Sequence, residues 1–284
     1  MSKIIQQHIL AEDGHALAAR FYLPADPPRG AVLVVPAMGC AQAYYAPLAN
    51  WLAAQGYLVA TFDYRGIGLS RRGSLRGFAA DIMTWARFDC GAMVAELGRQ
   101  APEVPLYWIG HSLGGQIFPF VPGRERIRKM VTVATGSGYW RENSPALRRM
   151  VWWLWFVVVP VVLPLAGYFP GKKLRKVGDL PKGVMAQWRR WCLHPDYAAG
   201  AEGADVRAQY AAVRTPITSL SFTDDEMMSA RNIESMHSFY TNAPRRMRRL
   251  APEEAGVARI GHFGFFRREF RETLWAGLLL PELT

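Results

Sequence analysis

The sequence predicts an α/β fold in which a mostly parallel, doubly wound sheet is covered by helices, and three observations carry that prediction. Nearly continuous apolar runs such as "RGAVLVVPAM" and "VPLYWI" have the composition of strands buried on both faces. Patterns of helical period stand between them, the signature of strand-helix-strand crossover units. The run "VPLYWI" ends in Gly110-His111-Ser112-Leu113-Gly114, a serine flanked by glycines where a strand gives way to a helix.

Along the chain, "IIQQHIL" and "HALAARFYLP" are split by "AEDG", and Asp13-Gly14 is a hairpin turn signal, so the start is expected to be antiparallel. "RGAVLVVPAM" reads as a strand and "AYYAPLANWLAAQGY" as a helix. "LVATFDY" is the next strand, "LRGFAADIMTWARFDCGAMVAELGRQ" a long amphipathic helix, and "VPLYWIGHS" and "MVTVATGSG" two more strands. The rhythm then breaks over residues 139–205, which hold most of the tryptophans. It resumes with the strand "TPITSLSFTDD", the helix "NIESMHSFYTNA", the segment "RRMRRLAPEEAGVARIGHFGFF" and a final helix "REFRETLWAGLLL". Because strand-helix units lie on both sides of the break, it is expected to be an insertion within one domain formed by residues 1–138 and 206–284.

Half of the 284 residues are apolar, enough for a sizeable core. The net charge of +11 comes mostly from arginine clusters such as "RERIRK", "GKKLRK", "APRRMRRL" and "FRREFR". Such a surface can attract nucleic acid, an anionic membrane or an anionic small molecule. No zinc spacing, arginine-glycine repeat or nucleic-acid module accompanies it, so no nucleic acid is expected. Cys40, Cys90 and Cys192 are scattered without metal-ligand spacing. They fit reduced thiols, and with no secretory pattern at the start the expectation is a cytoplasmic protein without metal or cofactor.

The chemistry centres on Ser112. In a sharp strand-to-helix turn, side chains at positions 110 and 114 would clash, and the turn lifts the serine Oγ to the edge of the sheet. The helix that follows offers backbone N–H groups and a positive dipole end to a developing oxyanion. A serine nucleophile needs a base, and the base needs a partner that holds its tautomer. Only His194, His237 and His262 follow Ser112 in the chain. His194 lies in the insertion, His237 is expected on a helix surface, and His262 sits in a glycine-flanked loop after the last strand, which makes it the candidate base. The acid is expected after "PITSLSF", where Asp224, Asp225 and Glu226 stand together. The usual layout places the functional carboxylate about nine residues from the strand start, here Pro216, which favours Asp225, with Asp224 as the second choice.

The motifs "GHSLGG", "SFTDDE", "GHFGFF" and the turn "FDYRGIGLS" together resemble the α/β-hydrolase superfamily over nearly the whole chain. "GHSLGGQ", "WRRWCLHP" and "SFTDDE" are similar more narrowly to bacterial predicted hydrolases of the serine-aminopeptidase and monoglyceride-lipase-like type. The resemblance implies Ser112 as nucleophile, Asp225 as orienting acid, His262 as base and the Leu113 N–H as an oxyanion donor. It implies a second donor from the loop after the third strand, often H-G-x-G. Here Pro36-Ala37-Met38-Gly39 replaces His and Gly by Pro36 and Ala37, and the Met38 N–H would serve. It also implies that residues 139–205 form a helical cap inserted between the sixth and seventh strands.

Within that insertion "MVWWLWFVVVPVVLPLAGYFPG" is uncharged, bracketed by Arg148-Arg149 and Lys172-Lys173, and long enough to cross a bilayer, which takes about 20 residues. One crossing would separate Ser112 from Asp225 and His262, so a span is not expected. Pro160 and Pro164 each cost about 3 kcal/mol inside a helix, which predicts two short helices or turns. As part of a cap, the run would wall a substrate pocket, with Trp152, Trp155 and Phe263 as candidate binding residues. The competing readings are burial of these rings as the cap's own core, or a cap dipping into an anionic membrane surface. The expected function is a serine hydrolase of carboxylic esters or thioesters bearing a lipophilic group. The alternatives are an acyltransferase using the same triad, and a non-catalytic binding or peripheral membrane protein of this fold.

Overall fold

The Asp13-Gly14 turn, with Gly14 at φ 79°, folds β1 (Lys3–Leu10) back on β2 (Ala16–Leu23) as an antiparallel pair. The computed structural model, which describes residues 3–174 and 177–284, then alternates strands and helices as the sequence predicts. After β3 (Gly30–Val35) come α1 (Ala46–Ala54) and β4 (Tyr57–Phe62). The long helix α2 covers residues 82–100, with a π-helical stretch at Trp85–Cys90. It starts later than its apolar pattern suggests because Asp81 caps it, accepting the Thr84 N–H at 2.7 Å. β5 (Leu106–His111) leads into the short helix α3 (Leu113–Gln116), and β6 (Ile127–Val133) follows. The insertion supplies α4 (Pro145–Ala166), a two-residue ladder between Tyr168–Phe169 and Leu180–Pro181, α5 (Lys182–Leu193) and α6 (Tyr197–Ala201). The chain ends through α7 (Ala204–Ala212), β7 (Ile217–Phe222), α8 (Ala230–Ser238), β8 (Arg245–Leu250), α9 (Gly261–Gly264) and α10 (Arg271–Leu279).

The eight strands form one sheet in the order β1-β2-β4-β3-β5-β6-β7-β8, parallel from β4 to β8. β3, β4, β5 and β7 are buried at every position; β3 reads accordingly as an uninterrupted apolar run, whereas β7 buries Thr218, Ser219 and Ser221 as well. The basic stretch "RRMRRL" is the edge strand β8, where charged side chains guard against pairing with another chain. In the "DYRGIGLS" turn, Asp63 accepts the N–H groups of Gln42 and Leu69 at 2.7 and 2.9 Å. Ser70 Oγ accepts the Ala18 N–H at 2.8 Å, tying the hairpin to the sheet.

The insertion departs from the expected pair of short helices. α4 runs unbroken through Pro160 and Pro164, from a Ser144 N-cap to Gly167 in the left-handed region at φ 75°. A π-helical turn at Leu154–Val158 widens the helix just before Pro160, giving its ring room against the preceding carbonyls. The Trp155 carbonyl is taken up from outside the helix by Arg189 Nε of α5 at 2.6 Å. Both prolines face solvent, where water can satisfy the acceptors they leave free.

α4 buries a narrow stripe, Trp155, Val159 and Leu163, and Trp155 meets Trp188 of α5 edge-on at 5.1 Å. α5 is pinned to the core by Gln187, whose Oε1 accepts the Ile82 N–H at 2.7 Å. Tyr197 and Tyr210 both donate to Gln116 of α3, at 2.9 and 2.8 Å. Tyr210 lies on α7, which straddles residue 205, the end of the insertion as read from the sequence.

His237, expected on a surface, is buried in α8. Its Nδ1–H donates to the Ile233 carbonyl at 2.7 Å, and its Nε2 accepts from Thr132 Oγ1 at 2.9 Å. Burial pushes its pKa down to about 4, below the roughly 6.5 of an unfolded histidine. Above that ordinary value both states are neutral and stability is complete. As the pH falls from there towards about 4, the unfolded chain binds a proton that the folded chain refuses, and stability is lost. The fall in melting temperature across that window should therefore be smaller in His237→Asn than in the wild type, measured by thermal denaturation at stepped pH.

Candidate active site

Ser112 holds φ 50° and ψ −112° between β5 and α3, a conformation that non-glycine residues adopt at a cost of about 1–3 kcal/mol. The glycines around it are required by contact. A Cβ at Gly110 would stand 2.6 Å from the Gly114 backbone, and one at Gly114 only 2.2 Å from the Val35 carbonyl oxygen. The turn is held from several sides. The Ser112 N–H donates to the Val133 carbonyl at 2.9 Å, Thr135 Oγ1 to the Ser112 carbonyl at 3.1 Å, and Trp108 Nε1 to the Gly114 carbonyl at 2.9 Å.

Three consecutive acids grip the loop that carries His262, each at a different point. Asp225 faces the imidazole, with Oδ1 and Oδ2 at 3.1 and 3.0 Å from Nδ1, and both side chains are almost wholly buried. Asp225 Oδ1 also accepts the N–H groups of Met227 and Met228 at 2.8 and 2.9 Å. Asp224 turns to the backbone instead, its Oδ2 accepting from Ile260 and Gly261 at 2.8 and 3.0 Å. Glu226 Oε2 accepts the His262 N–H at 3.2 Å. Of the two aspartates left open by the sequence, Asp225 is the one on the ring. A carboxylate can only accept here, so Nδ1 carries the proton and Nε2 is left as the basic nitrogen.

Ser112 and His262 line one small cavity of about 30 Å³ together with Met38 and Leu113. Leu113 is the first residue of α3, so its N–H has no intrahelical acceptor. The Met38 loop is bent by Gly39 at φ 67°. Sequence reasoning missed what braces this loop against the histidine. Tyr45 Oη accepts the Ala37 N–H at 2.9 Å and lies 2.9 Å from His111 Nδ1, while His111 Nε2 lies 3.1 Å from the His262 carbonyl oxygen. That carbonyl can only accept, so Nε2 carries the proton and Tyr45 donates to Nδ1. Complete burial holds the His111 ring well below its usual pKa and therefore neutral. The only signal for this in the sequence is that the residue between Gly110 and Ser112 is a histidine.

A larger cavity of about 560 Å³ adjoins the small one, sharing Met38, Trp188, Met227, Met228 and Phe263 with it. Its remaining wall is largely apolar, and α4 contributes Leu147, Met150, Val151, Leu154 and Trp155 to it. Trp155 and Phe263 line this cavity. Trp152 does not. It is 42% exposed and lies against Trp153 and Phe156 on the outward side of α4, because the buried stripe of that helix runs through Trp155, Val159 and Leu163. Cys40 and Cys192 also line the cavity, and burial pushes the Cys40 thiol up to about 11, so it stays protonated. Among the described residues no cluster of His, Cys, Asp or Glu could hold a metal ion. A separate groove of about 740 Å³ between β1 and α2 holds no serine facing a histidine.

Comparison with known proteins agrees with this architecture. A profile of the family described as serine aminopeptidase, S33, matches residues 26–178, more than half of the chain, including the Met38 loop and the Ser112 turn. Monoglyceride lipase of Mus musculus is 30% identical over 110 residues, 39% of this chain and 35% of that protein. The match thus spans about a third of the length of that curated relative. Among solved structures, an esterase of Pyrococcus furiosus superposes with a TM-score of 0.61 at 14% identity, covering 100% of this chain and 92% of that one. A carboxyl esterase from Bacillus coagulans gives a TM-score of 0.55 at 16% identity, covering 88% and 91%. At such identities these structures establish the fold. The strand order, the strained serine turn and the profile match together make the chain an α/β hydrolase that belongs to the serine aminopeptidase S33 family.

Proposed function

We propose that the protein is a serine hydrolase that cleaves carboxylic esters or thioesters bearing a lipophilic group, through an acyl-enzyme on Ser112. The observation that carries this reading is the strained Ser112 sharing a cavity with His262, whose Nδ1 is held by Asp225 at 3.0 Å. In this mechanism Ser112 Oγ attacks the carbonyl carbon while His262 Nε2 takes its proton. The N–H groups of Met38 and Leu113 receive the oxyanion. The tetrahedral adduct then collapses, Nε2 gives the proton to the departing alcohol or thiol, and the serine ester remains. Water, activated by the same nitrogen, releases the acid.

The substrate class rests on the neighbouring cavity, about 560 Å³ and mostly apolar. Residues 139–205 act as the cap whose inner side supplies part of that wall. The match to a monoglyceride lipase, a protein named for a lipophilic ester, points the same way. The three free thiols suit a cytoplasmic enzyme.

A series of p-nitrophenyl esters kept below their micelle concentrations tests the proposal. Each buried methylene is worth about 0.8 kcal/mol, so kcat/KM should climb severalfold per pair of methylenes from acetate to medium chains even when burial is partial. Failure to hydrolyse any ester or thioester would remove the hydrolase reading, whereas a preference for acetate would remove the lipophilic pocket alone.

A further inference from the structure

The outward side of α4 is unlike the surface of a protein that meets only water. The helix has 22 residues and is long and apolar enough to cross a membrane, yet only 17% of its most apolar stretch is buried. Trp153, Val161 and Leu165 are 61%, 52% and 73% exposed, and Trp152, Phe156 and Val157 extend the same face. A helix at a water boundary carries polar residues there. A contiguous apolar surface of this kind marks a contact with something apolar.

Charge surrounds this face. At its amino-terminal end Arg141, Arg148 and Arg149 converge with Trp140, Trp152 and Trp153 around an open cavity of about 500 Å³. The Arg141 guanidinium lies over the Trp140 ring at 5.3 Å, and among the described residues none of the three arginines is ion-paired with a carboxylate. Beyond the other end, Lys172 and Lys173 are exposed. Arg175 and Lys176, the rest of the basic cluster "GKKLRK", lie outside the described residues.

We propose that α4 lies in the plane of an anionic phospholipid surface, its exposed apolar side below the headgroups and a lipid phosphate held in the arginine-tryptophan cavity. A guanidinium presents paired donors that match a phosphate, and tryptophan favours the level of the headgroups. Basic residues at both ends of an apolar face are the pattern of a helix lying on a bilayer. A second copy of the chain fits less well, because it would bring two arginine rims together on a protein of net charge +11. A crossing helix would have to give up the Trp155–Val159–Leu163 stripe, which packs towards the core. It would also part Ser112 from the Asp225–His262 pair. The inner side of α4 walls the 560 Å³ cavity, so one helix separates the lipid from the proposed substrate pocket. Delivery of substrate from the bilayer rests on the hydrolase reading, whereas docking does not.

Flotation of the full chain with vesicles separates these outcomes. It should bind vesicles of phosphatidylcholine mixed with phosphatidylglycerol, bind phosphatidylcholine alone far less, and dissociate as salt is raised. The double variant Arg148→Glu/Arg149→Glu should lower partitioning about tenfold or more. Trp153→Glu/Leu165→Glu should abolish it, while hydrolysis of a short soluble ester stays at the wild-type rate. The proposal is overturned if the wild type ignores both vesicles, if it binds them equally, or if Trp153→Glu/Leu165→Glu still floats. It is also overturned if the chain leaves membranes only with detergent, which would mean a span. A concentration-dependent dimer that the same variant dissolves, without vesicle binding, would assign the face to a second copy. Loss of ester hydrolysis with vesicle binding intact would count against the hydrolase reading alone.

Discussion

Ser112→Ala should lower turnover of a soluble ester by about five to six orders of magnitude and leave the thermal stability close to that of the wild type. The loss is that large because the nucleophile acts as a unit with its base, so removing one leaves only binding and oxyanion stabilisation. Stability should hold because alanine keeps the Cβ and the backbone of the turn, where Val133, Thr135 and Trp108 bind main-chain atoms. A fluorophosphonate probe read by intact mass gives an independent check without knowledge of the substrate. The wild type should gain one adduct and the variant none. Labelling at another serine, or no labelling where a control esterase reacts, would mean that Ser112 is not the nucleophile.

Asp225→Asn should lower kcat by about four orders of magnitude, and Asp224→Asn by about tenfold at most. The difference follows from what each carboxylate holds. The N–H groups of Met227 and Met228 point at Asp225 Oδ1, so an asparagine would keep its carbonyl oxygen there and turn its NH₂ towards His262 Nδ1. Nδ1 would then have to accept, the proton would move to Nε2, and Nε2 could no longer take one from the serine. An asparagine at position 224 retains an acceptor for the Ile260 and Gly261 N–H groups and leaves the tautomer alone. Steady-state kinetics on both variants with one soluble ester decides the ranking, and the reverse order would transfer the role to Asp224.

Much of this protein is legible in its sequence. Strands buried on both faces favour apolar residues, so β3, β4 and β5 announce themselves, and the Asp13-Gly14 turn dictates the antiparallel start. The Ser112 turn was readable for a local reason: its glycines sit where a side chain would strike backbone only a few residues away or on the adjacent strand. His262 was reached by elimination, in a loop whose Gly261 adopts φ 66°.

What only the tertiary structure decided depends on groups brought together from far apart in the chain. The cost of Pro160 was visible in the sequence, but the π turn that precedes it and the Arg189 donor from another helix were not, so an unbroken α4 looked improbable. Helical period gave His237 a surface it does not have, because its partner Thr132 comes from a strand more than a hundred residues earlier. The choice between Asp224 and Asp225 turned on which side of one loop faces the ring. The brace from Ala37 through Tyr45 and His111 to His262 joins four segments that no local pattern connects. Sequence alone determined which residues could be buried and which could do chemistry, since those are properties of side chains and their near neighbours. Which face of α4 turns inward, and which atom each acid holds, were decided by packing, because that is where the competing neighbours first meet.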